Sequence, residues 1–287
     1  MRLLLILIEF LLVLSVAYGI VGLTLYFMQS SFLYKPLREV CYTPEELGLD
    51  FEKVTFQTAD GLHLRGWYVP AQSAGRTVLF CHGNGGNMMH CLDSVNIFYN
   101  LGMNCFIFDY RGYGESDGQK PTEAGTYLDA EAAYRWLTEN RGVPADSIII
   151  FGRSLGGSVA AQLASSVKAC SLVLESTFTS YADIGSQFYP YMPVRWFAAF
   201  KYDTVGFLEH VRCPIMIIHS PNDEIIPYEL GRKLYEVAGE PKKFVEISGN
   251  HNDGFLTSGE VYKNAWINWI RFLKNYRDEN GLQDVAF

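Results

Sequence analysis

Ser154 stands in Gly152-Arg153-Ser154-Leu155-Gly156-Gly157, directly behind the apolar run Ile148 to Phe151. A serine hydroxyl is a weak nucleophile until a base takes its proton, and the base needs a carboxylate to orient it. The G-x-S-x-G spacing suits a strained turn between a strand and a helix, which pushes the hydroxyl outwards. Such a turn crowds its own backbone. Gly152 and Gly156 remove the side chains that would collide with the neighbouring strand and helix, and Gly157 allows close helix packing. The free N–H groups at the start of the following helix favour negative charge developing at the serine. The competing interpretation is a serine that merely caps an ordinary helix.

Two further motifs precede this one: His82-Gly83-Asn84-Gly85-Gly86-Asn87 and Asp109-Tyr110-Arg111-Gly112-Tyr113-Gly114-Glu115-Ser116. With all three in order, the sequence resembles the α/β-hydrolase superfamily. It is most similar to the branch of membrane-anchored serine hydrolases that carries HGN-x-G-N, DYRGYG-x-S and GRSLGG. The resemblance runs over residues 50–275 and implies a mostly parallel eight-stranded sheet flanked by helices.

In that fold the acid and then the histidine follow the serine along the chain. Of the six histidines only His251 lies beyond the final strand-like run, in the turn-rich loop Gly249 to Gly254. It is the expected base. Asp223 follows the buried run Ile215 to Ile218, with Pro227 four residues on as in the family's D-x-x-x-P pattern, and is the expected acid. Glu224, next to Asp223, and Asp253, close to His251, are rival acids by sequence distance; Glu175 ends the preceding strand, where some α/β hydrolases carry their acid, but a cap or brace is the simpler role. His219, at a strand end, is expected to brace a loop or core. The oxyanion hole needs two backbone donors. One is Leu155, immediately after the nucleophile; the resemblance makes Asn84 the other, with His82 bracing the loop and Asp109, Arg111 and Ser116 holding the loop beside it.

The elements that must position these residues are legible as alternating patterns. Val54–Thr58 and Leu62–Val69 read as a hairpin turned at Asp60-Gly61. Buried-strand runs follow at Thr77–Cys81, Cys105–Phe108, Ser147–Phe151, Leu172–Leu174, Ile215–Ile218 and Phe244–Ile247. Helical patterns occupy Ala124–Asn140, Ser154–Val167, Ile226–Val237 and Val261–Tyr276. Strands alternating with helices imply a mainly parallel sheet covered on both faces. Residues 177–212 break the alternation: ten aromatics lie between Phe178 and Phe207, interrupted by Pro190 and Pro193. An apolar excess placed there is expected to form a small cap over the site.

Residues 1–28 form the expected transmembrane anchor, 29–50 a linker, and 51–287 the hydrolase domain. From Phe10 to Met28 no charge occurs, close to the ~20 residues that span a bilayer as a helix. A cleaved signal peptide would end near Ala17-Tyr18-Gly19, but the apolar run continues past it, favouring a retained anchor. Arg2 on one side is matched by Lys35 and Arg38 on the other, so the charges do not orient the span.

The chain has 287 residues, half of them apolar, and a net charge of −8. That balance disfavours nucleic acid as a partner. No phosphate loop, dinucleotide fingerprint or zinc spacing is present, so no cofactor or metal is implied. None of the six cysteines forms a C-x-x-C pair, and reduced structural thiols are expected. The anchor and the aromatic insertion point to a lipid or small-molecule acyl ester or thioester as substrate. Relatives that remove protein palmitoyl groups carry an N-terminal cysteine cluster; here no cysteine precedes Cys41. The alternatives are a peptidase or amidase acting on short peptides, and a non-catalytic binding protein of the same fold. Nothing in the sequence sets an oligomeric state.

Overall fold

The structure is a computed structural model that describes residues 2–72 and 75–279. It opens with the 32-residue helix α1 (Arg2–Leu33) and a short strand, β1 (Lys35–Pro36). The hairpin β2 (Glu52–Gln57) and β3 (His63–Val69) leads to β4 (Thr77–Cys81), β5 (Gly85–Gly86), α2 (Leu92–Asn100) and β6 (Asn104–Phe108). Next come α3 (Glu123–Arg135), β7 (Ile148–Arg153), α4 (Leu155–Ser166) and β8 (Ser171–Glu175). Three short helices follow: α5 (Tyr181–Phe188), α6 (Val194–Phe197) and α7 (Thr204–Leu208). The chain then returns through β9 (Ile215–His219), α8 (Tyr228–Val237), β10 (Lys242–Glu246), α9 (Gly254–Thr257) and α10 (Glu260–Glu279).

Eight strands form one sheet in the order β10-β9-β8-β7-β4-β6-β3-β2. The run from β10 to β6 is parallel, and β3 and β2 pair antiparallel at one edge. The sequence dictates this division. β4, β8 and β9 are buried at every residue, as parallel strands covered on both faces must be. The edge strand β2 alternates, with Val54 and Phe56 buried and Glu52, Lys53, Thr55 and Gln57 exposed, so one of its faces packs on the core and the other faces solvent.

The two faces of the sheet carry separate cores, and the pleat sorts them. Ile148 and Ile150 of β7 join one core, Ile149 and Phe151 the other. The first is covered by α3, α4 and α8. Over the second, α10 lays down Tyr262, Trp266, Trp269 and Leu273, all buried at helical spacing. Trp266 meets Phe98 and Phe151 at ring-centroid distances of 5.0 and 5.7 Å. All six cysteines are free.

Three features differ from the sequence reading. α1 does not stop at residue 28 but continues to Leu33, because the stretch Gln29 to Leu33 packs against the domain instead of leaving the helix as a loose linker. The residues after it are tied down: β1 pairs in parallel with β5 in the His82–Asn87 loop. α2 was not anticipated, since LDSVNIFYN is short and presents only Ser94, Val95 and Phe98 to the core.

Candidate active site

Ser154 lies between the end of β7 and the first turn of α4, with φ 54° and ψ −125°. A positive φ at a residue with a side chain is strained and persists only where the surroundings over-determine it. Here three bonds do so. The Ser154 N–H donates to the Glu175 carbonyl at 2.9 Å, and the Ser154 carbonyl accepts from Gly157 N–H at 2.9 Å and from the Thr177 hydroxyl at 2.6 Å. The flanking glycines are forced by the same geometry. A Cβ on Gly152 would overlap the Gly156 carbonyl and the Ala160 methyl; one on Gly156 would overlap the carbonyl oxygens of Cys81 and His82.

The structure brings Ser154, His251 and Asp223 together from three separate loops. His251 Nε2 is 3.1 Å from Ser154 Oγ. His251 Nδ1 lies 2.8 and 3.0 Å from the two Asp223 oxygens. A carboxylate cannot donate, so Nδ1 carries a proton to it and Nε2 is left to accept the serine proton. The Asp223 carboxylate is itself fixed, with Oδ1 accepting from the N–H groups of Ile225 and Ile226 at 3.0 and 2.8 Å. Burial pushes its pKa up, but hydrogen bonds from His219 and His251, the His251 charge and the Ile226 N–H outweigh this and hold it well below the usual carboxylate range. His219 gives the longer branch of a shared donor: its Nε2 donates to the Ile226 carbonyl at 2.9 Å and lies 3.5 Å from Asp223 Oδ2.

The rival acids have other partners. Glu224 accepts the His251 backbone N–H at 3.0 Å. Asp253 accepts from Asn250 within the histidine loop. Glu175 pairs with Arg153 at 2.5 Å and accepts the Tyr262 hydroxyl at 2.6 Å. Cys91, on the pocket wall, has its thiol pushed up to about 12 by burial, so it holds no thiolate to compete with the serine.

Asn84 and Leu155 both line the pocket that holds Ser154 and His251. Neither backbone N–H has a turn, cap or loop acceptor among the described residues. The loop that carries Asn84 is held from two sides. From behind, Asp109 Oδ1 accepts the Met88 N–H at 2.7 Å and lies 3.4 Å from His82 Nε2, both side chains fully buried. Ser116 donates to the Asp109 carbonyl at 2.7 Å, and Arg111 pairs with Asp129 and Asp60, each at 2.8 Å, so both residues act through loop structure.

From the front, the loop is held by the residues that leave α1. The Asn84 amide donates to the Leu33 carbonyl at 2.6 Å; Lys35 N–H donates to the Asn84 carbonyl at 3.0 Å, and Leu37 N–H to Gly86 at 2.9 Å. Sequence reasoning missed this contact. Its only trace was two glycines able to accept a neighbouring strand. It also did not identify Phe32, Phe178, Tyr181 and Phe188 as pocket walls, since aromatic content alone does not say which way a ring points. Among the described residues, no cluster of three His, Cys, Asp or Glu side chains is arranged to hold a metal ion.

This geometry has relatives. Residues 76–201 match the family model for the α/β-hydrolase fold. An uncharacterised protein of Mycobacterium tuberculosis is 38% identical over 215 residues, covering 74% of this chain and 76% of that protein. The α/β-hydrolase domain-containing protein WAV2 of Arabidopsis thaliana is 32% identical, with 85% of each chain covered. Among solved structures, an esterase of Pyrococcus furiosus superposes with a TM-score of 0.70 at 22% identity, over 83% of this chain and 97% of that one. The chain belongs to the α/β-hydrolase family.

Proposed function

We propose that the protein is a membrane-anchored serine hydrolase that cleaves carboxylic esters of lipophilic acyl groups through an acyl-enzyme. The observation that carries this reading is the continuous relay from Asp223 through His251 to Ser154, at 2.8 and 3.1 Å, ending on a serine held at positive φ. His251 Nε2 takes the Ser154 proton as Oγ bonds to the ester carbonyl carbon. The carbonyl oxygen becomes an oxyanion, and the N–H groups of Asn84 and Leu155 hold it. The protonated His251, stabilised by Asp223, hands its proton to the departing alcohol as the ester C–O bond breaks. Water, deprotonated by the same nitrogen, then attacks the acyl-enzyme and releases the acid.

The anchor reading rests on α1. Its most apolar 18-residue stretch has a mean hydropathy of 2.6, and none of that stretch is buried against the protein. A soluble protein does not present 18 consecutive residues of that kind to water. The lipophilic substrate follows from the pocket walls, which include Phe32, Leu33, Phe178, Ile184 and Phe188.

The test is turnover of p-nitrophenyl butyrate by the detergent-solubilised full chain. Activity in the wild type that Ser154→Ala abolishes supports the assignment. Activity that survives Ser154→Ala places the chemistry elsewhere, and no activity of the folded wild type on any acyl ester favours a binding role.

A further inference from the structure

α1 is longer than a bilayer requires. Its 32 residues rise about 48 Å, against about 30 Å of hydrocarbon. The segment between β8 and β9 runs alongside its second half. The Tyr18 hydroxyl donates to the Tyr191 carbonyl at 2.8 Å. Eleven residues on, Gln29 donates to the Phe197 carbonyl at 2.9 Å and accepts from Ala199 N–H at 2.8 Å. The charge-free run from Phe10 to Met28 is the part of α1 suited to the hydrocarbon, and Tyr18 lies in the middle of it. A helix that crosses the membrane on that run carries the tip of this cap, bonded to Tyr18, into it. The tip has the matching chemistry: Tyr191 is 90% exposed, Trp196 85% and Phe197 58%. Tryptophan and tyrosine gather at the membrane interface, and such a cluster facing water would be a liability.

Between α1 and the cap lies a crevice of about 600 Å³ with apolar walls, including Tyr26 on the helix and Val194 on the cap. Its neighbour is the pocket of about 710 Å³ that contains Ser154 and His251. Phe32, Tyr181, Gly185 and Tyr189 line both, so these four residues form the wall common to the two spaces. The helix side of the crevice is kept open by Gly19 and Gly22: a Cβ built on either meets no atom within 4 Å.

We propose that α1 and the cap together form an acyl-chain site that opens into the bilayer and leads to Ser154, so that the enzyme draws long-chain acyl esters laterally from the membrane. This rests on the serine-hydrolase and anchor readings above. The occupant is an acyl chain because the crevice is mostly apolar and shares a wall with the nucleophile's pocket. A peptide would bring more backbone N–H and C=O groups than these mostly apolar walls can pair. With the chain in the crevice, Ser154 Oγ bonds to the ester carbonyl carbon, the alcohol leaves with the His251 proton, and water releases the fatty acid.

The experiment uses the full chain in phosphatidylcholine vesicles. Two rates are measured: hydrolysis of monopalmitoylglycerol in the vesicle, and of water-soluble p-nitrophenyl butyrate. In the wild type, vesicle rates on a monoacylglycerol series rise with chain length; a preference for short chains overturns the proposal without any variant. Gly22→Phe places a ring in open space and lowers the long-to-short ratio by about tenfold or more, since each methylene kept out of an apolar site costs several-fold. An unchanged ratio in a Gly22→Phe protein whose Ser154 still reacts with a fluorophosphonate overturns it. Butyrate turnover that survives Ser154→Ala sinks the reading of Ser154 as nucleophile itself. Butyrate turnover that depends on Ser154, with an unchanged ratio, sinks the crevice alone.

Discussion

Replacing Asp223 by asparagine keeps the shape of the site and reverses the direction of its hydrogen bonds. Oδ1 accepts from the N–H groups of Ile225 and Ile226 at 3.0 and 2.8 Å. In the variant the amide oxygen must occupy that position, because an NH₂ there would face two donors. The NH₂ then takes the place of Oδ2 and points at His251 Nδ1, 2.8 Å away. Nδ1 must accept, so the ring proton moves to Nε2, and Nε2 donates to Ser154 Oγ instead of accepting from it. The base is switched off with the ring still in place. The same substitution in Ser-His-Asp proteases costs about 10⁴ in turnover, and on that analogy kcat of Asp223→Asn falls by about 10⁴, or about 5 kcal/mol of barrier. The matched control is Glu175→Gln. Glutamine keeps an acceptor toward Arg153 and its NH₂ can donate to the Tyr262 oxygen, so turnover falls by less than about tenfold. Stability drops by about 3 kcal/mol because the buried Arg153 loses its counter-charge. Both variants are compared on p-nitrophenyl butyrate, with thermal melts alongside. An Asp223→Asn enzyme within tenfold of wild type beside a dead Glu175→Gln would show that the acid sits on β8 and that the tautomer reasoning is wrong.

Three further outcomes follow from single contacts. Asn84→Ala retains the backbone N–H but removes the 2.6 Å bond to the Leu33 carbonyl; kcat falls about tenfold with little change in KM, as one net hydrogen bond of loop positioning implies, and unchanged kinetics would separate the end of α1 from the oxyanion loop. Gly156→Ala drives a methyl into two backbone carbonyls that cannot rotate away; the melting point drops by the equivalent of about 1–3 kcal/mol, and esterase activity falls with it. The Asp223 pKa is depressed in the folded state, so the stability it confers is complete above the ordinary carboxylate value and is lost as pH falls through its lower folded value. The melting-point gap between wild type and Asp223→Asn is therefore widest near neutrality and narrows below about pH 4; a gap that widens on acidification would reverse the sign.

Much of the sheet could be read from the chain because its strands are extreme. ILVF-rich runs such as Ile148 to Phe151 bury every residue, and no amphipathic alternative fits them. The three separate loops that meet at Ser154 could be named because each carries a residue whose chemistry has few substitutes: a serine between required glycines, an aspartate just past a buried strand, a histidine in a turn. What could not be read was where polar backbone finds its partners. Lys35-Pro36 carries no strand signal, and it pairs with Gly85-Gly86 only because the end of α1 delivers it there. The aromatics of residues 177–212 were evident as composition, but whether Trp196 is buried or 85% exposed depends on how the segment packs in three dimensions. That is a long-range fact absent from any local pattern.

The most direct test of Ser154 as nucleophile is covalent capture. The full chain in detergent is treated with an alkyl fluorophosphonate and the modified peptide is sequenced by mass spectrometry. One adduct on Ser154, absent from Ser154→Ala and strongly slowed in His251→Ala, is the expected result. An unlabelled but folded wild type, or an adduct on another residue that Ser154→Ala leaves intact, would contradict it.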